Sequence, residues 1–278
     1  MQVTEHPTGN ISRNSAMAKV LQQEAILPVV PRSTPADEIN ACLKSSLLWR
    51  HVQKLTLNIN MHVQFHNNQS ADRFSKQLLD IGNGKVQVDN TNGLITLPNN
   101  FCTILQSTEE LIESVFPNIV QNYRNHNWLR ERAILAPKNL HVNSINYQIQ
   151  DKLPGAVTSY KSVDSAMNAD DAVNYPIEFL NLKVGSSIIL LRNLNAPKLW
   201  NGTRLVVKKL MPNLIEATIL NGTAKNEIVL IPRIPLIPTD MPFKFKRLQF
   251  PVRLSFVMSI NKAQGQTFQI CGLNLEEP

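Results

Sequence analysis

Residues 133–149 read A-I-L-A-P-K-N-L-H-V-N-S-I-N-Y-Q-I, and this stretch decides the fold class. Its first five residues are an apolar run of strand length that ends at Pro137, and the polar residues that follow have the pattern of a helix. A buried strand followed directly by a helix is the unit from which α/β domains with a largely parallel sheet are built. The sequence therefore predicts an α/β fold.

The residues before this unit carry further helix and strand patterns. Apolar side chains at helical spacing predict helices over residues 36–49, 70–81 and 107–116. The last of these begins with a capping box formed by Ser107 and Glu110 and ends before Pro117. Apolar runs predict strands over residues 26–32 and, by strict alternation with polar residues, over residues 55–65.

The pattern changes after a polar joint at residues 151–175. Four short runs with the composition of strands follow, S-I-I-L-L-R-N-L, T-R-L-V-V-K-K-L, L-I-E-A-T-I-L and E-I-V-L-I-P-R-I. Asn201-Gly202 and Asn221-Gly222 lie in the gaps, and such dipeptides favour tight turns because both positions tolerate positive φ. The sequence therefore predicts a small antiparallel β-barrel, inserted into an α/β domain whose last strand, R-L-S-F-V-M-S-I, comes after the insert.

Size and composition exclude several classes of protein. The chain has 278 residues, of which 43% are hydrophobic and 18% charged, so it is neither wholly disordered nor a coiled coil. It contains no run of the ~18–20 apolar residues that a membrane-spanning helix requires, and its opening residues do not resemble a secretory signal. Three widely spaced cysteines exclude both a disulfide framework and a cysteine zinc site.

The positive charge is confined to one part of the chain. Residues 1–175 contain 15 Lys and Arg and 15 Asp and Glu, whereas residues 176–278 contain 13 and 6, so the later segment carries the whole net charge of +7. A basic half beside a neutral half is typical of a protein that binds phosphates. The alternative is a solvated basic surface without a ligand.

The polar turn at residues 259–267 is the first candidate site because it directly follows an apolar strand, where open α/β sheets place their ligands. Lys262 offers a point charge, Gln264 offers an amide donor, and Gly265 lets a phosphate approach the backbone. The alternative is an ordinary polar loop. Lys208 and Lys209 are adjacent on a predicted strand and should point to opposite faces. The outward one is a candidate DNA contact, and the other must snorkel past the edge of the barrel because a buried unpaired ammonium would be costly.

Other candidate sites carry less weight. The only Gly-Lys pair, Gly84-Lys85, lacks the spacing of a phosphate-binding loop, and no apolar run ends in Asp-Glu to hold a metal. His62 and His66 share a strand face without a nearby carboxylate or cysteine, so we expect no metal site there. Two aromatic residues, Trp200 and Phe268, are candidates for stacking on bases, and packing in the core or in turns is the favoured alternative.

The stretch F-P-V-R-L-S-F-V-M-S-I-N-K-A-Q-G-Q-T-F at residues 250–268 resembles motif V of the Pif family of DNA helicases, especially its eukaryotic and Helitron-transposon branch. Residues 182–207 and 231–240 resemble the barrel that this family inserts and the exit from it. Residues 128–146 resemble the opening of its second motor domain, and residues 26–49 the segment after motif III. The resemblance thus covers roughly residues 26–277.

This resemblance implies a domain organisation and a function. It implies an irregular leader (1–25), the end of a first motor domain with a connecting segment (26–127), an incomplete RecA-like second motor domain (128–180 and 241–278) and the inserted barrel (181–240). The family couples hydrolysis of ATP, with Mg²⁺, to 5′-to-3′ movement on single-stranded DNA. By resemblance, Gln264 and Gly265 line the γ-phosphate side of the nucleotide cleft, and Ser259, Asn261 and Lys262 lie on the DNA side.

The sequence departs from the family pattern at functional positions. The motif G-D-F-R-Q is replaced by residues 21–25, L-Q-Q-E-A, and His62 stands where relatives have an arginine that reaches the γ-phosphate. A neutral imidazole cannot replace that guanidinium. Because the phosphate loop, the metal-binding acids and motif VI are missing as well, we expect this chain alone to bind neither ATP nor Mg²⁺ productively and to be inactive.

The resemblance also predicts the partners and the biological setting. It implies a monomer that binds single-stranded DNA, with no membrane, in the nucleus or alternatively the mitochondrion. The implied processes are replication, repair, recombination and telomere maintenance. Two other interpretations remain open: a catalytically inactive nucleic-acid-binding module, and a transposon-derived remnant that folds poorly.

Overall fold

The computed structural model describes residues 2–5, 34–40, 47–51, 53, 69–87, 101–166, 177–196, 198–237 and 245–275. The chain divides into two compact units. The first unit comprises Met1–Glu5, Thr103–Ala263 and Phe268–Pro278, and the second comprises His6–Cys102 and Gln264–Thr267. None of the helices in the described ranges combines the length and the apolar character that are needed to cross a bilayer.

The elements follow one another as a mixture of helices and strands. The helices are α1 (Pro35–Asn40), α2 (Gln69–Gly82), α3 (Thr108–Val115), α4 (Ile119–Asn122), α5 (His126–Arg130) and α6 (Asn139–Lys152). The strands are β1 (Gln2–Glu5), β2 (Thr103–Ile104), β3 (Arg132–Ala136), β4 (Thr158–Lys161), β5 (Val163–Ala166), β6 (Phe179–Leu182), β7 (Ser187–Leu190), β8 (Arg204–Leu210), β9 (Leu214–Ile219), β10 (Ile228–Pro232), β11 (Ile234–Leu236), β12 (Phe245–Gln249), β13 (Val252–Leu254), β14 (Val257–Ser259) and β15 (Ile270–Leu273). Turns of 3-10 helix span Leu47–His51 and Ile260–Ala263.

The predicted strand–helix unit is present as β3 and α6, and it belongs to a five-stranded sheet of order β14-β3-β15-β1-β2. Strands β14 and β15 pair with β3 in parallel, whereas β1 and β2 add an antiparallel edge. Ala133, Ile134 and Ala136 of β3 are fully buried, as expected of a strand covered on both faces. The fold is therefore mixed α/β with a parallel centre.

The strands after the polar joint form a separate antiparallel sheet of order β10-β9-β8-β7-β13. Four of its five strands come from residues 187–232, as the sequence predicts, and Gly202 and Gly222 in the turns have φ of 93° and 85°. Strand β13, from beyond the predicted insert, occupies one edge and β10 the other, so the described pairings do not close a barrel. Apolar side chains of both sheets belong to one continuous buried cluster.

Two small sheets lie within and after the segment that the sequence predicts to be a weak joint. Strands β4 and β6 pair with each other, and β5 joins a three-stranded sheet of order β11-β12-β5. A joint over residues 151–175 is therefore wrong for residues 158–166. The polar composition of the segment misled the prediction because Ser and Thr on a strand edge carry little hydrophobic signal, whereas pairing with distant strands decides the structure.

A β-bulge interrupts the alternation of side chains in β8. Val207 pairs with Ala217 and Lys209 with Glu216, which leaves Lys208 as the extra residue. Both lysines are exposed, and the Nζ of Lys208 lies 2.8 Å from a carboxylate oxygen of Glu216. The expectation that one of the pair snorkels past the barrel edge is therefore wrong, because the bulge breaks the strict period of two.

Helix α3 confirms the prediction made from its capping box. The backbone N–H of Glu110 donates to the Oγ of Ser107 at 3.1 Å, and the carboxylate of Glu110 accepts from the N–H of Gln106 at 2.8 Å. The reciprocal bond thus reaches one residue further back than in the usual capping box. Leu111, Ile112 and Val115 are buried on the face opposite these polar contacts.

The second unit contains α1, α2 and the turn Leu47–His51. Helix α2 matches the helix predicted over residues 70–81, and its Phe74 stacks on Phe101 with ring centroids 5.4 Å apart. Of the helix predicted over residues 36–49, the described part is α1 and the start of the 3-10 turn. The strands predicted over residues 26–32 and 55–65 lie outside the described residues. Residues 2–5 of the predicted irregular leader form β1 of the first unit, where Val3 and Thr4 favour a strand.

Candidate nucleic-acid interface

The candidate turn begins where the parallel sheet ends. Ser259 is the last residue of β14 and pairs with Ala136, the last residue of β3, so both strands present their carboxyl ends at the same edge. The 3-10 turn Ile260–Ala263 follows at once. Ala263 is buried against the sheet, whereas Asn261 and Lys262 are exposed. The local sequence thus anchors the turn through one small apolar residue and leaves its polar side chains in solvent.

An asparagine from α6 fixes the strand that leads into this turn. The Nδ2 of Asn146 donates to the carbonyl of Val257 at 2.8 Å, and the N–H of Val257 donates to the Oδ1 of Asn146 at 3.0 Å. This side chain is 2% exposed and satisfies both backbone groups of Val257 as a neighbouring strand would. Asn146 is therefore a positioning residue that sequence reasoning missed, although an asparagine on the buried face of a helix was a visible signal.

Lys262 connects the turn to the antiparallel sheet. Its Nζ donates to the Oδ1 of Asn201 at 3.1 Å, and the N–H of Asn201 donates to the Oδ1 of Asn193 at 2.7 Å. Asn193 and Asn201 belong to the connection between β7 and β8. The structure thereby brings the predicted DNA-side lysine next to the predicted insert, two segments that are about sixty residues apart in sequence.

A groove of about 600 Å³ opens beside Lys262 within the first unit. We call it the basic groove and define it by Tyr147, Phe179, Arg192, Arg253 and Lys262, which lie on α6, on β6, after β7, on β13 and in the 3-10 turn. Four cations line the groove, namely Arg247 and the three just named. The lining contains one carboxylate, that of Glu178. Four of the thirteen Lys and Arg residues in the basic last part of the sequence thus share one concave surface.

The other predicted residues have different surroundings. Ser259 is half-buried at the strand end and Asn261 is exposed in the turn. Gln264 and Gly265 are exposed and belong to the second unit; Gly265 has a φ of 77°, and its α-carbon faces open space. Lys208 and Lys209 do not line the basic groove.

The remaining candidates concern histidine and aromatic side chains. His62 and His66 lie outside the described residues. Trp200 is 52% exposed, whereas Phe268 is half-buried beneath the guanidinium of Arg204, whose Cζ lies 5.3 Å from the ring centroid. Phe268 therefore packs within the protein, as the alternative interpretation expects. Trp200 instead presents a large exposed ring.

The described part of the chain holds no cluster of metal-ligating side chains. Within the ranges that the structure describes, no three His, Cys, Asp or Glu side chains lie close enough together to hold a metal. Magnesium takes six oxygen ligands in nearly octahedral arrangement, usually several waters and substrate phosphates with one or two carboxylates. No step of the chemistry is therefore assigned to a metal held by these residues.

Comparison with known proteins relates the chain to one helicase family. A family model described as PIF1-like helicase matches residues 21–92, and a model described as DNA helicase Pif1, 2B domain, matches residues 167–210. The chain is 27% identical over 187 residues to the ATP-dependent DNA helicase PIF1 of Danio rerio and 27% identical over 191 residues to that of Xenopus laevis. Each match covers 63% of this chain but only 29% of the relative.

Among solved structures, a similar one is Pif1 helicase from Bacteroides in complex with ADP-AlF3 and ssDNA. The TM-score is 0.38 and the sequence identity 20%, and the match covers 60% of this chain and 43% of that chain.

Proposed function

We propose that the chain is a member of the Pif1-like helicase family and forms part of an ATP-dependent DNA helicase. Its contribution is to hold one DNA strand while ATP hydrolysis drives movement in the 5′-to-3′ direction. In this proposal the parallel sheet belongs to a RecA-like second motor domain, and the antiparallel strands are the counterpart of its inserted barrel. The enzyme acts as a monomer in nuclear or mitochondrial DNA metabolism, including replication, repair, recombination and telomere maintenance.

The placement of Lys262 supports this proposal most strongly. The lysine projects from the carboxyl edge of a parallel sheet, which is where α/β folds bind ligands, and it lines the basic groove. Its contact with Asn201 ties it to the antiparallel sheet, so a strand bound there touches both parts of the first unit. In this proposal Ser259, Asn261 and Lys262 meet the DNA, and Lys208 and Lys209 are secondary phosphate contacts.

The proposal assigns only two residues to nucleotide binding. Gln264 and Gly265 contribute to the γ-phosphate side of the cleft, where the open face of Gly265 permits close approach of a phosphate. The glycine-lysine phosphate loop of nucleoside triphosphatases does not occur among the 278 residues. We therefore propose that these residues alone do not hydrolyse ATP, and that their measurable activity is DNA binding.

Replacing Lys262 by alanine is expected to weaken binding of single-stranded DNA about 5-fold, since removal of one phosphate contact costs roughly 1 kcal/mol. The loss should be similar for different base sequences, because a phosphate contact carries no sequence information. The measurement is fluorescence anisotropy of a labelled oligothymidylate titrated with the full 278-residue chain.

Lys76→Ala is the matched control, because Lys76 carries the same charge but forms an exposed ion pair with Asp72 on α2, at 2.7 Å. It should bind as the wild type does. Equal weakening by Lys76→Ala and Lys262→Ala would mean that only net charge matters, and the proposed contact would then be wrong.

A further inference from the structure

Two of the four cations in the basic groove lack the carboxylate partner that some other cations of the first unit have. Elsewhere on the first unit, Lys198 contacts Glu227 at 2.6 Å and Lys208 contacts Glu216 at 2.8 Å. Arg192 and Arg253 are exposed, and within the part of the chain that the structure describes their guanidinium groups make no hydrogen bond or ion pair. Two guanidinium groups that no carboxylate neutralises thus face the same concave surface.

The one carboxylate of the groove lining is hydrogen-bonded to Arg247. Glu178 accepts from the Nη1 of Arg247 at 2.7 Å. The same guanidinium makes a two-pronged contact with Asp164, through Nε at 2.9 Å and Nη2 at 2.8 Å. The bonds to Asp164 and Glu178 raise the pKa of Arg247, which therefore stays protonated at neutral pH. With one cation and two acids the triad carries a net charge of −1, against which Arg192, Arg253 and Lys262 supply three positive charges.

Two aromatic rings accompany the unpaired cations. Tyr147 of α6 is 42% exposed and Phe179 of β6 is 52% exposed, and both line the groove. Large exposed rings beside cations are the usual arrangement in proteins that bind unpaired nucleotides, because bases stack on the rings while cations hold the phosphates. In a duplex the faces of the bases are already stacked on one another and are not available to such rings.

We propose that the basic groove is a binding site for single-stranded DNA, in which Arg192 and Arg253 hold phosphates and Tyr147 and Phe179 stack on bases. This inference rests on the proposed function and extends it to four residues that the sequence did not single out. It assigns the main DNA contacts next to the predicted insert to these two arginines and not to Lys208, whose charge is taken up by Glu216.

The test compares the double variant Arg192→Ala/Arg253→Ala with Lys76→Ala/Lys198→Ala, which removes two cations that the structure shows in ion pairs. We expect the arginine variant to lose on the order of 20-fold in affinity for labelled oligothymidylate, and its slope of log affinity against log salt to become shallower by about 1.4, since each phosphate contact contributes about 0.7. The control should keep the wild-type affinity and slope. Circular dichroism melting of each variant establishes that it is folded.

Two further measurements separate stacking from charge. Tyr147→Leu and Phe179→Leu should each weaken binding of oligothymidylate about 10-fold but leave binding of an abasic oligonucleotide of the same length unchanged, because only stacking on bases is removed. Arg192→Lys/Arg253→Lys should retain the salt slope. Loss of abasic binding in the leucine variants would contradict the stacking roles.

The outcomes separate a failure of the groove assignment from a failure of the proposed function. If Lys262→Ala weakens binding whereas the double arginine variant binds as the wild type does, the groove is not the DNA site but the proposed function stands. If the wild-type chain does not bind oligothymidylate at all, both are wrong. Tighter binding of a duplex, or equal binding of polyglutamate with the same loss in the arginine variant, would overturn the assignment to single-stranded DNA.

Discussion

Replacing Gly185 by alanine is expected to lower the free energy of unfolding by about 3 kcal/mol, the sum of a left-handed backbone cost of 1–2 kcal/mol and a packing cost of 1–3 kcal/mol. Gly185 lies in the turn between β6 and β7 with a φ of 88°. A Cβ at this position would clash with Cδ2 of Tyr123 and lie 2.7 Å from its Cε2. The ring cannot move away freely, because it is only 9% exposed and belongs to the buried cluster. Urea unfolding followed by circular dichroism measures the change.

Gly202→Ala is the control for this prediction. Gly202 also has a positive φ, 93°, but open space surrounds the position that its Cβ would take. We expect a loss of only about 1 kcal/mol there, from the backbone alone. In the background of Tyr123→Leu, Gly185→Ala should lose its packing cost and approach the effect of Gly202→Ala. Equal effects of the two glycine substitutions in the wild-type background would contradict the close approach of Tyr123.

Removing the guanidinium of Arg204 is expected to have the largest effect on stability, a loss of about 4 kcal/mol for Arg204→Ala, because a cavity and unpaired carbonyls are left together. Arg204 of β8 is 2% exposed and donates to the carbonyls of Leu129, Arg130 and Arg132 at 3.1–3.2 Å. These carbonyls belong to the end of α5 and the start of β3. Arg204 therefore joins the antiparallel sheet to the parallel one.

The partners of Arg204 explain how a cation is buried without a carboxylate. The C-terminal carbonyls of a helix carry partial negative charge, which a guanidinium complements with several donors at once. Burial lowers the pKa of Arg204 to about 10, so it is still protonated at neutral pH. The cost of its desolvation is thus offset by fixed backbone dipoles and the ring of Phe268.

Two conservative variants separate the contributions at Arg204. Arg204→Met fills most of the volume but donates no hydrogen bond, and we expect it to lose about 2 kcal/mol. Arg204→Lys keeps the charge, but a single ammonium cannot reach all three carbonyls, so it should lie between methionine and the wild type. Urea unfolding gives the order of the four proteins. A methionine variant as stable as the wild type would show that the hydrogen bonds contribute nothing.

Local signals predicted the elements that depend on neighbours in sequence. Ser107 and Glu110 start α3, the apolar run ending at Pro137 forms β3, and Asn-Gly dipeptides mark turns with positive φ because those preferences act within a few residues. The segment of residues 158–166 was missed because its strands exist only through pairing with distant residues. For the same reason the sequence predicted a closed insert, whereas β13 joins its sheet from outside.

The sequence singled out one residue of the basic groove, Lys262, but did not predict the groove as a surface. Lys262 stood out because a polar turn after an apolar strand has a meaning that the sequence alone conveys. Arg192 and Arg253 did not, because an arginine becomes a candidate only when it lacks an ion pair, which depends on the positions of distant carboxylates. The ion pair of Lys208 was likewise not predictable, since the bulge and the position of Glu216 depend on pairing between strands.

Binding of single-stranded DNA as a function of salt concentration tests the central claim most directly. The full chain is titrated into labelled oligothymidylate at a series of salt concentrations. If Arg192, Arg253 and Lys262 neutralise phosphates, log affinity should fall linearly with log salt with a slope of about −2, since each contact contributes about −0.7 on single strands. An affinity that does not change with salt, or no binding at low salt, would contradict the assignment of this chain as the strand-holding part of a helicase.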